Sequence, residues 1–151
     1  MIKVEIVKCL KDNFSYIVHN NNEALVIDPS ESGPLIKSLE KLNLKLKYIL
    51  NTHHHFDHID GNLTLKEKYK CKIIGFIDDK KRIPGIDICL KNEEIFKEGD
   101  FQFKTYHTPG HTSGHICYHF FNDKILFTGD TLFSLSCGRL FEGTYLSLIH
   151  I

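Results

Sequence analysis

Thr52-His53-His54-His55-Phe56-Asp57-His58 places four potential metal ligands within six consecutive residues. His53 and His55 are two positions apart, so an extended or turning backbone directs both side chains at one point. Asp57 and His58 follow at the start of a predicted helix. Neutral imidazole and carboxylate are the usual ligands of zinc and similar divalent ions. The segment therefore predicts a metal centre with enough ligands for two adjacent ions, and a chance cluster of this pattern is rare in a chain of this composition.

Two later motifs supply further candidate ligands. Thr-Pro-Gly-His-Thr-Ser-Gly-His at 108–115 is typical of a tight loop, in which His111 could point inward. Ile-Leu-Phe-Thr-Gly-Asp-Thr at 125–131 is an apolar strand that runs into Gly-Asp. The carboxylate of Asp130, at the end of that strand, has two oxygens and could bridge two cations.

The other histidines near these motifs are expected to have structural roles. We expect His54 to orient its neighbours instead of binding metal. His107, His115 and His119 are expected to bond to the backbone or to pack on strands.

Hydrophobic periodicity predicts a strand-rich α/β chain. Strands are predicted at 2–8, 14–18, 24–27, 46–50, 71–76, 86–90, 101–107, 115–121 and 124–128, and helices at 34–43 and 59–70. Residues 78–85 are predicted to form an exposed loop, and their Lys80-Lys81-Arg82 run is too short to suggest a nucleic-acid groove. Both histidine clusters follow strands directly, where loops commonly carry chemistry.

Composition indicates an ordinary globular protein. The 151 residues are 42% hydrophobic and 25% charged, which predicts one domain over 1–151. The 19 basic and 19 acidic residues give a net charge of zero, which argues against a nucleic-acid partner. No apolar run approaches the roughly 20 residues that cross a bilayer, so no membrane association is predicted. The start of the chain alternates like a strand and does not resemble a signal peptide, so the cytoplasm is the predicted location.

The order and spacing of the three motifs resemble the metallo-β-lactamase superfamily. Four segments narrow the resemblance to the glyoxalase II family, the hydroxyacylglutathione hydrolases. They are Lys-Asp-Asn-Phe-Ser-Tyr at 11–16, the loop at 108–115, Phe-Thr-Gly-Asp-Thr-Leu-Phe at 127–133 and Cys-Gly-Arg-Leu-Phe-Glu-Gly-Thr at 137–144. The resemblance covers about residues 2–144, whereas 145–151 are atypical of the family.

The resemblance implies an αββα sandwich with a centre for two divalent ions. By analogy with the family, His53, His55 and His111 bind one metal, Asp57 and His58 bind the second, and Asp130 bridges both. Zinc is the expected ion, although the same ligands admit iron or manganese. Arg139, Leu140 and Phe141 lie where the family contacts the glutathione part of its substrate.

The implied activity is hydrolysis of S-(2-hydroxyacyl)glutathione, such as S-D-lactoylglutathione, to glutathione and a 2-hydroxy acid. A water shared by two divalent ions loses its proton near neutral pH and can attack the thioester carbonyl. Asp57 and Asp130 are expected to position that nucleophile. The expected partner is therefore a small-molecule glutathione thioester, and the full-length protein is expected to be a monomer.

The end of the chain departs from the family pattern. Family members continue with a strand that supplies another histidine to the second metal and with a helical region that grips glutathione. We therefore expect a truncated chain with an incomplete sandwich and an exposed apolar sheet face. It should bind close to one metal, tend to aggregate and turn over poorly. His150 is not expected to replace the missing ligand.

Two alternatives to the hydrolase stay open. One is a persulfide dioxygenase on the same fold with a single iron. That family tends to have Thr-Asp-Phe-Gln after Cys-Gly-Arg, whereas this chain has Leu-Phe-Glu-Gly at 140–143, which favours the hydrolase. The other is a fragment that binds at most one metal and catalyses nothing.

Overall fold

The fold consists of two β-sheets packed face to face, in a computed structural model that describes residues 1–149. The first sheet has six strands in sequence order: β1 Lys3–Cys9, β2 Asn13–Asn20, β3 Glu23–Ile27, β4 Lys45–Leu50, β5 Lys72–Phe76 and β6 Ile88–Leu90. The pairs from β1 to β3 are antiparallel, and those from β3 to β6 are parallel.

The second sheet is antiparallel throughout. Its strands are β7 Ile95–Glu98, β8 Phe101–His107, β9 Ile116–Phe120 and β10 Ile125–Phe127, in the spatial order β10-β9-β8-β7. The helices are α1 Ser32–Lys41, α2 Phe56–Ile59, α3 Asn62–Tyr69 and α4 Tyr145–Ile149, and a 3₁₀ turn spans Ile77–Asp79.

The apolar core forms two layers, one on each side of the six-stranded sheet. Between the two sheets, Phe103, Tyr118 and Phe120 are fully buried with side chains from β2 to β5. On the other side, α1 buries Leu35 and Leu39, which are four residues apart and therefore share one helix face. The buried hydroxyl of Tyr118 donates a hydrogen bond of 2.7 Å to the carbonyl of Asn51, which ties the core to the start of the histidine-rich loop.

The second sheet has a different outer environment from the first. Helices α1 and α3 pack on the six-stranded sheet. Within residues 1–149, no helix packs in this way on the four-stranded sheet. Leu126 of β10 and Ile95 of β7 are about half exposed, at 51% and 55%. The described part of the predicted αββα sandwich thus contains both sheets and one helical layer.

Three details of the predicted elements were wrong. The helix predicted over 59–70 begins at Asn62 as α3, and the separate short helix α2 precedes it, with the break at Asp60 and Gly61. A Cβ on Gly61 would lie 2.8 Å from the carbonyl oxygen of Pro29, so the chain passes too close there for a larger residue. Strand β7 was not predicted, because its sequence is half charged and only partly buried. The loop at 78–85 is not fully exposed, since Asp79 is completely buried.

Candidate metal centre

The three sequence motifs converge at one edge of the sandwich. The loop after β4 carries His53 and His55, the loop after β8 carries His111, and the segment after β10 carries Asp130. A hydrogen bond holds the two ends of the loop after β4 together, because the side chain of Asn51 donates to the carbonyl of His58 at 3.1 Å. Residues that are far apart in sequence therefore meet because their strands end at the same edge.

Three histidine nitrogens face a common point. His55 Nδ1 lies 3.1 Å from His53 Nε2 and 2.9 Å from His111 Nε2. Around a tetrahedral ion with metal–nitrogen distances of about 2.0 Å, ligand nitrogens lie about 3.3 Å apart. The spacing of this three-histidine cluster (His53, His55 and His111) therefore suits a metal ion at its centre.

The outer contacts of these rings direct lone pairs at that point. Thr52 Oγ1 donates to Asp28 Oδ2 at 2.6 Å, so it can accept from His53 Nδ1, 3.0 Å away. His111 Nδ1 donates to the carbonyl oxygen of Arg139. In a neutral ring the other nitrogen then carries the lone pair, so Nε2 of both His53 and His111 presents an electron pair to the centre. This donor set fits a divalent cation.

A second group of ligand atoms lies beside the first. His58 Nε2 is 3.3 Å from Asp130 Oδ1 and 3.7 Å from Asp57 Oδ2. The other oxygen of Asp130, Oδ2, is 3.2 Å from His111 Nε2. The carboxylate of Asp130 thus faces both groups, which is the geometry that a bridging ligand needs. His53 is also close enough to form a group with His58 and Asp130.

Asp28 is a functional residue that the sequence interpretation missed. Its buried carboxylate accepts from Thr52 N at 2.7 Å and lies 3.0 Å from His58 Nδ1. It therefore orients the His58 ring so that Nε2 points at Asp130. Asp28 follows strand β3 directly and Asp130 lies three residues after β10, and this shared position just beyond a strand was the available signal.

Burial and neighbouring charges set the protonation of the site. Burial, together with the adjacent histidines, lowers the pKa of His53 well below its ordinary value, so the ring is neutral. Burial also disfavours the charged form of His58, but the charges and hydrogen bonds of Asp28 and Asp130 outweigh it and raise the pKa to about 10. Burial likewise raises the pKa of Asp130, but His58 and His111 outweigh this effect and lower it overall.

Two other histidines, His115 and His54, lie beside the centre instead of in it. His115 Nε2 accepts from the backbone N–H of Asp130 at 3.1 Å, and its Nδ1 lies 2.9 Å from Thr108 Oγ1. Burial and His111 lower the pKa of His115 to about 3, so it stays neutral. His54 points away from the cluster, with Nδ1 3.4 Å from the carboxylate of Asp79. His150 lies outside the described residues.

The residues predicted to contact substrate lie beside the three-histidine cluster. The Phe141 ring centroid is 5.4 Å from that of His55 and 5.3 Å from that of His111. The guanidinium of Arg139 lies over the Phe141 ring at 5.4 Å. Leu140 packs against Gly110, whose Cβ would lie 3.3 Å from the Leu140 side chain. Phe141 and Arg139 are exposed, so both side chains are available to a ligand.

An open groove of about 880 Å³ reaches the other side of the centre. Asp57, His58 and Asp130 are among its polar lining residues, and Ile6, Phe14 and Leu126 are among its apolar ones. The second ligand group is therefore accessible from solvent.

Comparison with known families places this architecture in a class. The family model of the metallo-β-lactamase superfamily matches residues 11–147, and the chain belongs to that superfamily. Its histidine-rich site is accordingly a divalent-metal-binding site. Within residues 1–149, no helix is long and apolar enough to cross a membrane.

The chain is similar to proteins named hydroxyacylglutathione hydrolase, which confirms the narrower resemblance. The protein of that name from Pelagibacter ubique is 56% identical over 95% of this chain and 61% of its own length. The one from Methylococcus capsulatus is 43% identical over 95% of this chain and 57% of its own length. The chain thus spans about 60% of the length of these curated relatives.

Solved structures confirm the predicted fold class. The B3 metallo-β-lactamase BLEG-1 is 29% identical, with a TM-score of 0.87 over 99% of this chain and 82% of that chain. TTHA1623, solved in a di-iron-bound form, is 25% identical, with a TM-score of 0.79 over 95% of this chain and 81% of that chain. ETHE1 from Myxococcus xanthus has a TM-score of 0.81 over 98% of this chain and 66% of that chain, but at 23% identity it shows the fold alone.

Proposed function

We propose that this chain carries the catalytic metal centre of a thioesterase that hydrolyses S-(2-hydroxyacyl)glutathione to glutathione and a 2-hydroxy acid. The observation that carries the proposal is the 56% identity to a hydroxyacylglutathione hydrolase over 95% of the chain. The match spans 95% of the chain and so extends over nearly all of the metal centre and of the segment at 137–144 beside it. The proposed substrate is a small-molecule glutathione thioester, and the cytoplasm stays the predicted location.

The proposed cofactor is a pair of divalent ions, with zinc as the first choice and iron or manganese as alternatives. One ion would be held by His53, His55 and His111, and the other by Asp57 and His58, with Asp130 shared. The two-sided contacts of the Asp130 carboxylate support a shared role. When bound, such ions supply an activated water and an electrophile for the thioester carbonyl.

The two carboxylates would position the attacking water. Asp57 Oδ2 accepts a hydrogen bond of 2.9 Å from Asn13 Nδ2, and the same oxygen lies 3.7 Å from His58 Nε2, so Asn13 fixes the oxygen that faces the second ligand group. The lowered pKa of Asp130 keeps that carboxylate ionised, so it can accept a hydrogen bond from water. Both carboxylates would therefore orient a nucleophile.

The substrate end would lie on the side of Arg139 and Phe141. A guanidinium can pair in a bidentate way with a carboxylate, and glutathione carries carboxylates that a simple acyl group lacks. The exposed ring of Phe141 offers an apolar wall next to His55 and His111. The leaving thiolate has an ordinary pKa of about 8.5, so it needs no strong general acid.

Thiol release from S-D-lactoylglutathione tests the proposal. The zinc-loaded chain should release thiol slowly but measurably, and both removal of metal by a chelator and the Asp130→Ala variant should abolish the release. Asp100→Asn, on the exposed surface, is the matched control and should keep the rate. A metal-loaded chain that releases no thiol would favour the non-catalytic alternative, and oxygen consumption with a glutathione persulfide would favour the dioxygenase.

A further inference from the structure

The segment 138–142 crosses the three-histidine cluster with little apolar burial to hold it there. Phe141, its largest side chain, is 58% exposed. Three hydrogen bonds to its backbone fix the segment. Gly138 N donates to the carbonyl of Asp130 at 2.7 Å, Phe141 N donates to the carbonyl of His111 at 3.2 Å, and the carbonyl of Arg139 accepts from His111 Nδ1. Because hydrophobic anchoring is weak, polar contacts must determine where this segment lies.

Glu142 makes the densest set of such contacts. Arg82 Nη1 donates to both carboxylate oxygens of Glu142 at 2.9 Å. Ser113 donates to Glu142 Oε2 from its backbone N–H at 2.7 Å and from its hydroxyl at 2.8 Å. Hydrogen bonds to an ionised carboxylate are stronger than neutral ones. Glu142 therefore ties its segment both to Arg82 and to the loop that carries His111.

Hydrogen bonds to Asp79 and Ser113 fix the side chain of Arg82. Its Nε donates to Asp79 Oδ1 at 2.8 Å, Nη2 also contacts that oxygen, and Nη2 donates to Ser113 Oγ at 2.9 Å. The Asp79 side chain is fully buried. Gly114 packs so tightly on it that a Cβ there would overlap the carboxylate. Arg82 thus has a fixed position before it meets Glu142.

We propose that Arg82 and Glu142 are positioning residues that hold Arg139 and Phe141 over the three-histidine cluster. Arg82 belongs to the short basic run at 80–82, and Glu142 follows Phe141 directly. The ion pair joins residues 60 positions apart and completes a path from buried Asp79 to the exposed segment. The effect of this ion pair on substrate binding rests on the proposed function, because Arg139 and Phe141 are the proposed contacts for glutathione.

Amide hydrogen exchange of the zinc-loaded 151-residue chain tests the proposal. In Glu142→Ala, peptides that cover 137–144 should exchange about tenfold faster, because local opening no longer breaks the ion pair. Glu142→Gln retains the shape and one acceptor, so it should give a smaller increase. Glu40→Gln, which removes the exposed ion pair between Lys68 and Glu40 on the helices, is the matched control and should leave 137–144 unchanged.

A second measurement uses the absence of tryptophan from the chain. Phe141→Trp introduces a single indole, whose fluorescence anisotropy reports the motion of the segment. Anisotropy should fall when Glu142→Ala is added, with zinc content and far-ultraviolet circular dichroism unchanged. Unchanged exchange at 137–144 together with unchanged anisotropy would overturn the positioning role. Neither measurement depends on turnover, so the thiol-release assay judges the proposed activity separately.

Discussion

Asp28→Asn removes one charge beneath the candidate metal centre while preserving the shape of the side chain. Asp28 is 3% exposed and accepts from Thr52 N, from Thr52 Oγ1 and from His58 Nδ1. An asparagine can still accept from one donor, but its NH₂ group then faces the others. To avoid a contact between two donors, His58 must give up the proton on Nδ1 and carry it on Nε2, where a metal would bind.

The expected cost can be worked out from these contacts. Breaking a buried, hydrogen-bonded ion pair on one side costs about 3–5 kcal/mol. Raising the pKa of His58 from 6.5 to about 10 corresponds to about 5 kcal/mol, which is the net effect of burial, Asp28 and Asp130 and is of the same order. We expect a loss of about 4 kcal/mol for the metal-free chain at pH 6. At about 2–4 °C per kcal/mol for a domain of this size, the melting temperature should fall by about 8–16 °C.

The effect of Asp28→Asn on the melting temperature should also depend on pH, in a direction that the pKa of His58 determines. His58 has a higher pKa in the folded chain than in the unfolded one, so its stabilising contribution is complete below pH 6.5 and is lost as the pH rises toward 10. The difference in melting temperature between the wild type and Asp28→Asn should therefore shrink between pH 6.5 and pH 10. Thermal unfolding of the chelator-treated chain measures it, with Asp100→Asn as the control.

The zinc affinity of Asp28→Asn is a second measurable consequence of the same substitution. Loss of an outer partner of a ligating histidine typically weakens metal binding about 10–100-fold. A zinc titration of Asp28→Asn should show this loss at the His58 side, with the three-histidine cluster less affected. If melting temperature and zinc affinity both stay at wild-type values, Asp28 does not orient His58 and the reasoning is refuted.

Three other substitutions have distinct expected outcomes. In a version extended to the length of the curated relatives, Asp57→Ala should lose the second metal, whereas His54→Ala should keep metal and lose some stability; equal metal loss by elemental analysis would show that the ligands are wrongly assigned. In the same extended version, Arg139→Ala should raise KM about tenfold for a glutathione thioester and less for a small thioester without glutathione, and an equal effect in steady-state kinetics would make Arg139 structural. Gly129→Ala should lower stability by about 3 kcal/mol in thermal unfolding. At Gly129, φ is +49° and a Cβ would lie 2.5 Å from Thr52 Oγ1; wild-type stability would contradict that strain.

The sequence predicted the parts of the fold that have strong local patterns. Strand β8 was placed at its observed bounds because Phe101, Phe103 and Thr105 alternate with polar residues toward one face. The centre was also predictable, since its ligands cluster within short motifs at strand ends. Strand β7 and the break between α2 and α3 were missed, because the first has a weak pattern and the second depends on the approach of Pro29 to Gly61.

The parts that were not predicted depend on contacts between distant residues. Asp28 could be interpreted only as the end of a strand, since nothing local shows that His58, 30 residues later, needs its carboxylate. Arg82 was treated as part of an exposed loop, although it joins buried Asp79 to Glu142. Such ion pairs follow from how the loops meet at the sheet edge, and spacing along the chain carries no signal for them.

Three motifs that are far apart in sequence supply the ligands of the candidate metal centre. The most direct measurement is a crystal structure of the zinc-loaded chain with anomalous data at the zinc absorption edge. The main anomalous peak should lie about 2.0–2.1 Å from His53 Nε2, His55 Nδ1 and His111 Nε2, with Asp130 as the fourth ligand. A weaker peak should lie beside His58 and the other oxygen of Asp130. A zinc peak bound elsewhere, or no peak between the three histidines, would contradict the account.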